Sequence, residues 1–188
     1  MDRFDVQEFH VMWVGKFDFR KQLPLALKAI AIANNPNVVL DIYGGGSDVQ
    51  IASAKKLVDS IGINEKVVWH GNQPNDVVNN AMRNAQLFFF TSISEDTSTV
   101  VLEAVSNHLP ILCFDACGMA AVIDHNVGRK IPLSNPAQSA TDFAKQLNEL
   151  EHDRGLLKQL SANCRQRQIE LSWEEKAKTM VEWYEKVK

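Results

Sequence analysis

The chain has 188 residues, 45% of them hydrophobic and 23% charged, with 20 Lys and Arg against 23 Asp and Glu for a formal net charge of −3. That mix excludes a disordered chain, a collagen-like chain and a disulfide-stapled miniprotein, and the slight acidity gives no general attraction to nucleic acid. The length predicts about one domain with room for a full core. No apolar run nears the ~20 residues of a transmembrane helix; the longest is Leu109 to Phe114. The opening Met1-Asp2-Arg3-Phe4-Asp5 lacks the apolar region of a signal peptide. Cys113, Cys117 and Cys164 are odd in number and in no metal-ligand spacing, which predicts reduced thiols in a cytoplasmic protein.

In chain order, Phe9 to Val14 reads as a strand that stops at Gly15. Leu23, Leu27, Ile30 and Ala31 fall at helical spacing and predict a helix from Leu23 to Ala33. Val38 to Tyr43 is a second strand, stopped by Gly44-Gly45-Gly46, and Ser47-Asp48 caps a helix running to about Ile61, with Gly62 as its stop. Lys66 to His70 is a third strand ending at Gly71, and Pro74-Asn75-Asp76 opens a helix to about Asn84. Gln86 to Thr91 contains Phe88-Phe89-Phe90, the pattern of a strand buried on both faces. A helix from Thr99 to Asn107, a strand from Pro110 to Phe114 and a short strand from Gly128 to Pro132 follow. Helices then run from about Ala137 to the end, where Trp173, Trp183 and Tyr184 are expected to pack against the domain. Strands alternating with helices predict an α/β, Rossmann-like three-layer domain over residues 1–188, with a parallel sheet of about six strands and a helical C-terminal segment. Ligands of such sheets bind at the carboxyl ends of the strands.

Four groups of residues lie at those ends or on the helices that follow them. Gly15-Lys16 closes the first strand, and Arg20-Lys21 follows; converging cations suit a diphosphate, although such clusters also occur as solvated faces. Ser92 to Thr99 leads into a helix, where backbone N–H groups and hydroxyls form an anion-binding arrangement. Asp96, Thr97 or Ser98 also serves there as an ordinary N-cap, and Glu95 and Asp96 suit hydroxyls better than phosphate. Glu103 lies on the second turn beside an apolar face, where sugar hydroxyls, a salt bridge or a rim position would each satisfy it. Gly44-Gly45-Gly46-Ser47-Asp48 fits the dinucleotide fingerprint only in part, since Val49 stands at the third glycine, and a tight turn explains it better than NAD binding. His10, His70, His108, His125 and His152 are scattered, so no metal site is expected.

Together these residues resemble the group 1 (family 4) retaining glycosyltransferases. Glu95 to Glu103 is E-x7-E, preceded by Phe90-Thr91-Ser92 and followed by Leu109-Pro110-Ile111. Val14-Gly15-Lys16-Phe17 with Lys21 is similar to the family's G-R-L…K-G, Ile42 to Gly46 to its glycine-rich strand end, and Val67 to Gly71 to its V-x-F-x-G. Gly118 and Gly128 match two later glycines, and Ser172-Trp173-Glu174 with Tyr184 is similar to its closing helix. The chain departs from the family at several positions. Lys16 replaces arginine, Gln22 replaces a glycine, Asp96-Thr97-Ser98 replaces a glycine- or proline-containing triplet, and Ala121 stands where the family often has Glu.

The resemblance implies the nucleotide-sugar-binding half of a two-domain GT-B enzyme, a retaining hexosyltransferase of polysaccharide, lipopolysaccharide or glycolipid synthesis. It implies that Glu103 holds the ribose hydroxyls, that Glu95 contacts the donor sugar as the catalytic residue, and that Lys16 and Lys21 bind the diphosphate with help from Gly15, Gly71, Thr97 and Ser98. It implies no cofactor or metal, and a nucleotide-sugar donor as partner. The acceptor sugar or lipid is held by an N-terminal domain outside this chain, so this half binds donor and barely turns over. The setting implied is cytoplasmic, with the full-length enzyme able to associate peripherally with the inner membrane face. Alternative functions on the same architecture are half of a sugar-nucleotide 2-epimerase and a non-catalytic interaction domain with a decayed site.

Overall fold

The computed structural model describes residues 2–96 and 98–186. Six strands, β1 (Phe9–Lys16), β2 (Val38–Gly45), β3 (Val67–Gly71), β4 (Leu87–Phe90), β5 (Ile111–Phe114) and β6 (Gly128–Ile131), form one sheet in the order β3-β2-β1-β4-β5-β6. All neighbours pair in parallel. The order reverses between β1 and β4, so the crossovers leave in opposite directions there and a crevice opens at the carboxyl ends. The helices are α1 (Leu23–Ala33), α2 (Asp48–Ser60), α3 (Asn75–Asn84), α4 (Thr99–Ser106), α5 (Met119–Val122), α6 (Pro136–His152), α7 (Arg154–Glu170) and α8 (Trp173–Lys186). The α/β three-layer expectation holds.

Each face of the sheet carries its own core. Side chains alternate along a strand, so Leu87 and Phe89 join α1, α2 and α6, while Phe88 and Phe90 join α3, α4 and α5. Phe143 of α6 stacks edge-on against Phe89 and Phe114, with ring centres 5.0 and 4.7 Å away. Ser47 caps α2 as expected, accepting from the Gln50 amide in a capping box. Asn135 and Asp153 cap α6 and α7 in the same way, accepting from Gln138 and Leu156. Arg3, with no ion pair to a carboxylate among the described residues, donates to the carbonyls of Met82, Arg83 and His108, so its cation sits at the ends of α3 and α4 where helix dipoles favour it.

Two features differ from the sequence reading. α5 is a single four-residue turn, too short to show a periodicity. The aromatic residues of α8 do not pack against the domain: Trp173, Trp183 and Tyr184 are 82%, 64% and 69% exposed. The helix leaves the domain after α7, so its apolar stripe finds no core within the described residues. No helix among the described residues is long and apolar enough to cross a membrane.

Candidate functional site at the carboxyl edge

All six strands run the same way, so every strand-to-helix loop opens on one edge. The first loop carries Gly15, Lys16 and Lys21. Asp18 folds it by accepting from the backbone amides of Arg20 and Lys21, at 2.9 and 3.2 Å. Gln22 then starts α1 with φ 53°, a left-handed conformation that a glycine would adopt without a Cβ penalty.

The loop after β4 is stitched to the first. Buried Thr91 accepts from Trp13 Nε1 at 3.0 Å, and its hydroxyl lies 2.8 Å from Lys21 O. The Ile93 amide donates to Arg20 O at 2.9 Å. Ser92 Oγ lies 3.0 Å from Arg20 O and 3.1 Å from Glu95 Oε1, and its one proton can serve either acceptor. This stitching has no signature in linear spacing, because it joins residues of β1 and β4 that only the sheet brings side by side.

Lys21 Nζ meets Glu95 Oε1 at 2.6 Å, with the side chains 16% and 15% exposed. The ammonium also lies 5.1 Å from the centre of the Phe90 ring, within cation–π range. Charges this sheltered need partners, and each supplies the other's. The basic loop and the first glutamate of E-x7-E are therefore in direct contact. Gly15 lines the same spot, since a Cβ there would lie 3.3 Å from Lys21 Cγ.

The chain after β5 closes over this loop. The Gly118 amide donates to Glu95 O at 3.3 Å, and a Cβ on Gly118 would lie 1.8 Å from Asp96 O. Only glycine permits that approach. Ser98 is buried and precedes α4 as its N-cap, yet its hydroxyl makes no capping bond. Among the described residues no side chain caps the first amides of α4, at an end where the helix dipole favours an anion. Glu103 is half-buried on the second turn, and among the described residues its carboxylate makes neither a hydrogen bond nor an ion pair. Lys16 is exposed at the end of β1, without an ion pair among the described residues. Gly71 closes β3 on the same edge with φ 69° and open space where a Cβ would stand. Thr97 lies outside the described residues.

The structure thus brings Gly15, Lys21 and Glu95 into one cluster, sets Ser98 at the start of α4 and Glu103 on its second turn, and puts Lys16 and Gly71 at the ends of β1 and β3 on the same edge. The histidines are less scattered than their linear positions suggest. His10 and His70 flank Asp41 across three strands, a grouping that depends on strand register and sits on the α3 side of the sheet. Among the described residues no group of three His, Cys, Asp or Glu side chains is placed to hold a metal ion.

Known proteins resemble this chain in sequence and in fold. The D-inositol 3-phosphate glycosyltransferase of Streptomyces bingchenggensis is 26% identical over 183 residues, covering 92% of this chain and 39% of that protein. The protein of the same name from Nocardia farcinica is 28% identical over 182 residues, covering 93% of this chain and 40% of that protein. The chain therefore spans about two fifths of the length of these curated relatives. Two solved structures share the fold. The pneumococcal O-GlcNAc transferase GtfA in complex with UDP and GlcNAc gives a TM-score of 0.78 at 19% identity, over 96% of this chain and 36% of that one. Sucrose-phosphate synthase from Thermosynechococcus elongatus gives 0.78 at 23% identity, over 98% of this chain and 46% of that one. The family model described as glycosyl transferases group 1 matches residues 3–167, taking in β1 to β6 and both glutamates, and the chain belongs to that family.

Proposed function

We propose that the carboxyl edge binds the nucleoside diphosphate of a nucleotide-sugar donor for glycosyl transfer. The observation that carries this reading is the 2.6 Å contact between Lys21 and Glu95, which joins the basic loop to the E-x7-E segment at the crevice. Lys21, with Lys16 beside the entrance, neutralises the diphosphate by charge-assisted hydrogen bonds. The uncapped amides at the start of α4 add partial positive charge. Glu103 accepts from the ribose hydroxyls, and Glu95 faces the donor sugar.

These roles suit the chemistry. The bond from the anomeric carbon to the diphosphate oxygen breaks, the acceptor hydroxyl forms the new bond to that carbon, and the acceptor proton goes to solvent or to the departing phosphate. Negative charge grows on the diphosphate, so fixed cations and amides aimed at it stabilise the transition state. The Lys21 ammonium has three N–H donors, so it can bond a diphosphate oxygen while Glu95 holds it in place. The relatives' names and the UDP complex of the pneumococcal transferase support a donor of this class. The acceptor, a sugar or lipid hydroxyl, is assigned to parts of the enzyme beyond this chain, and placing it in line with the donor supplies a large share of the rate. The free thiols Cys113, Cys117 and Cys164 fit a cytoplasmic setting.

Calorimetric titration with UDP, GDP, ADP and NAD tests the reading. At least one nucleoside diphosphate is expected to bind more tightly than NAD, in keeping with the Val49 break in the dinucleotide fingerprint. Preferential binding of NAD would refute it.

A further inference from the structure

A cavity of the described residues lies apart from the Lys21–Glu95 cluster. It measures about 840 Å³ and lies on the α3 side of the sheet, between β1, β2 and α3, beside the amino-terminal ends of β1 and β4. That size is within the range of small-molecule sites, about 300–1,000 Å³.

Its floor is unusual for a doubly wound sheet, whose strands are normally apolar on both faces. Asp41 stands in the middle of β2 with its side chain 13% exposed, and Oδ2 and Oδ1 lie 2.7 Å from His10 Nδ1 and 2.7 Å from His70 Nε2. The His70 ring stacks on Tyr43, with centres 4.1 Å apart and planes 4° from parallel. His10 Nε2 is 3.2 Å from Glu8. Burial alone would raise the Asp41 carboxyl, but the hydrogen bonds from His10 and His70 outweigh it and hold it below its ordinary value. The hydrogen bond to Asp41 raises His10 against the opposing effect of burial.

The chemistry of this lining selects its ligand. A cation finds no unpaired carboxylate: Asp41 is held by two imidazoles, Glu8 by His10, and Asp2 by Lys158 at 3.3 Å. A phosphate would face the same three carboxylates, while Arg3 is committed to backbone carbonyls. What remains unengaged among the described residues is neutral: the Tyr43 hydroxyl and the side-chain amides of Gln7 and Asn80, set among the apolar surfaces of Met12, Val77 and Ala81. Neutral donors and acceptors interleaved with apolar surface match a ring that carries hydroxyls on its rim and C–H groups on its faces.

We propose that this cavity is a second saccharide site, separate from the nucleotide edge, for a neutral di- or oligosaccharide. It does not depend on the nucleotide reading, and its test separates the two. Imidazole ¹H–¹³C spectra of the whole chain are recorded with maltose, cellobiose and trehalose, with spermidine and inorganic phosphate as competing chemistries, each with and without saturating UDP. At least one disaccharide is expected to shift His10, which lines the cavity, saturably, with UDP leaving its affinity unchanged. Ala81→Trp, which fills the cavity from the half-buried face of α3, is expected to weaken that binding by about tenfold or more. Asn80→Ala, on the exposed part of the helix where folding is not at risk, is expected to weaken it several-fold. Absence of a saturable shift with all three disaccharides, shifts with spermidine or phosphate instead, displacement by UDP, or unchanged affinity in Asn80→Ala would each overturn the proposal.

Discussion

Replacing Glu103 by alanine is expected to weaken UDP binding by about 10- to 100-fold and to leave the melting temperature unchanged. A hydrogen bond to a charged group is worth roughly 1.5–3 kcal/mol, and about 1.4 kcal/mol is tenfold in affinity. The carboxylate makes no hydrogen bond or ion pair among the described residues, so its removal takes no polar contact with them from the fold. Glu95→Ala has the opposite profile. It strips Lys21 of its 2.6 Å partner, so the melting temperature falls because a sheltered cation is left unpaired. The bare nucleotide then binds as well as before or more tightly, since a negative charge beside the phosphate is gone. Titration calorimetry and melting curves on both variants check the pair. If Glu103 only braced α4, its alanine variant would melt earlier and bind UDP unchanged, and the assignment of the ribose would fall.

Gly44→Ala is expected to destabilise the chain by an amount on the order of 2–6 kcal/mol, a large part of the ~5–15 kcal/mol that typically holds a domain together. Gly44 has φ 124°, and an added Cβ would lie 1.9 Å from Gly15 O. Gly15 and Gly44 are paired in the parallel ladder of β1 and β2, so neither backbone can withdraw without breaking it. Strain at such a φ is of order 1–3 kcal/mol, and overpacking adds about as much again. Urea unfolding measures the sum. A loss below about 1 kcal/mol would show that the close approach is not maintained. Because the displaced residue would be Gly15, the variant should also lose nucleotide affinity in its folded fraction.

Much of the fold was legible because parallel strands flanked by helices leave a local pattern. Phe88-Phe89-Phe90 announces a strand buried on both faces, and Ser47 announces a cap. The strand order β3-β2-β1-β4-β5-β6 was not legible, because it is set by which helices can cover which face. The site was readable at the level of motifs: the basic loop and E-x7-E could each be named. Their contact through Lys21 and Glu95, and the Thr91 and Ser92 bonds that enforce it, required the switch of direction between β1 and β4. The His10–Asp41–His70 group was hidden for a related reason. Its members lie on three strands, and only the register places them on one face. The α8 aromatics failed differently: an amphipathic pattern marks a face to be covered but carries nothing about what covers it.

The central claim is that a nucleoside diphosphate lies between the Gly15–Lys21 loop and the start of α4. Amide ¹H–¹⁵N spectra recorded during a UDP titration test it most directly. One saturable set of shifts that includes Gly15, Lys21, Ser98 and Glu103 is expected, while Asp41 and Tyr43 on the α3 face stay in place. Shifts confined to other parts of the chain, or no saturable shift at the carboxyl edge, would contradict it.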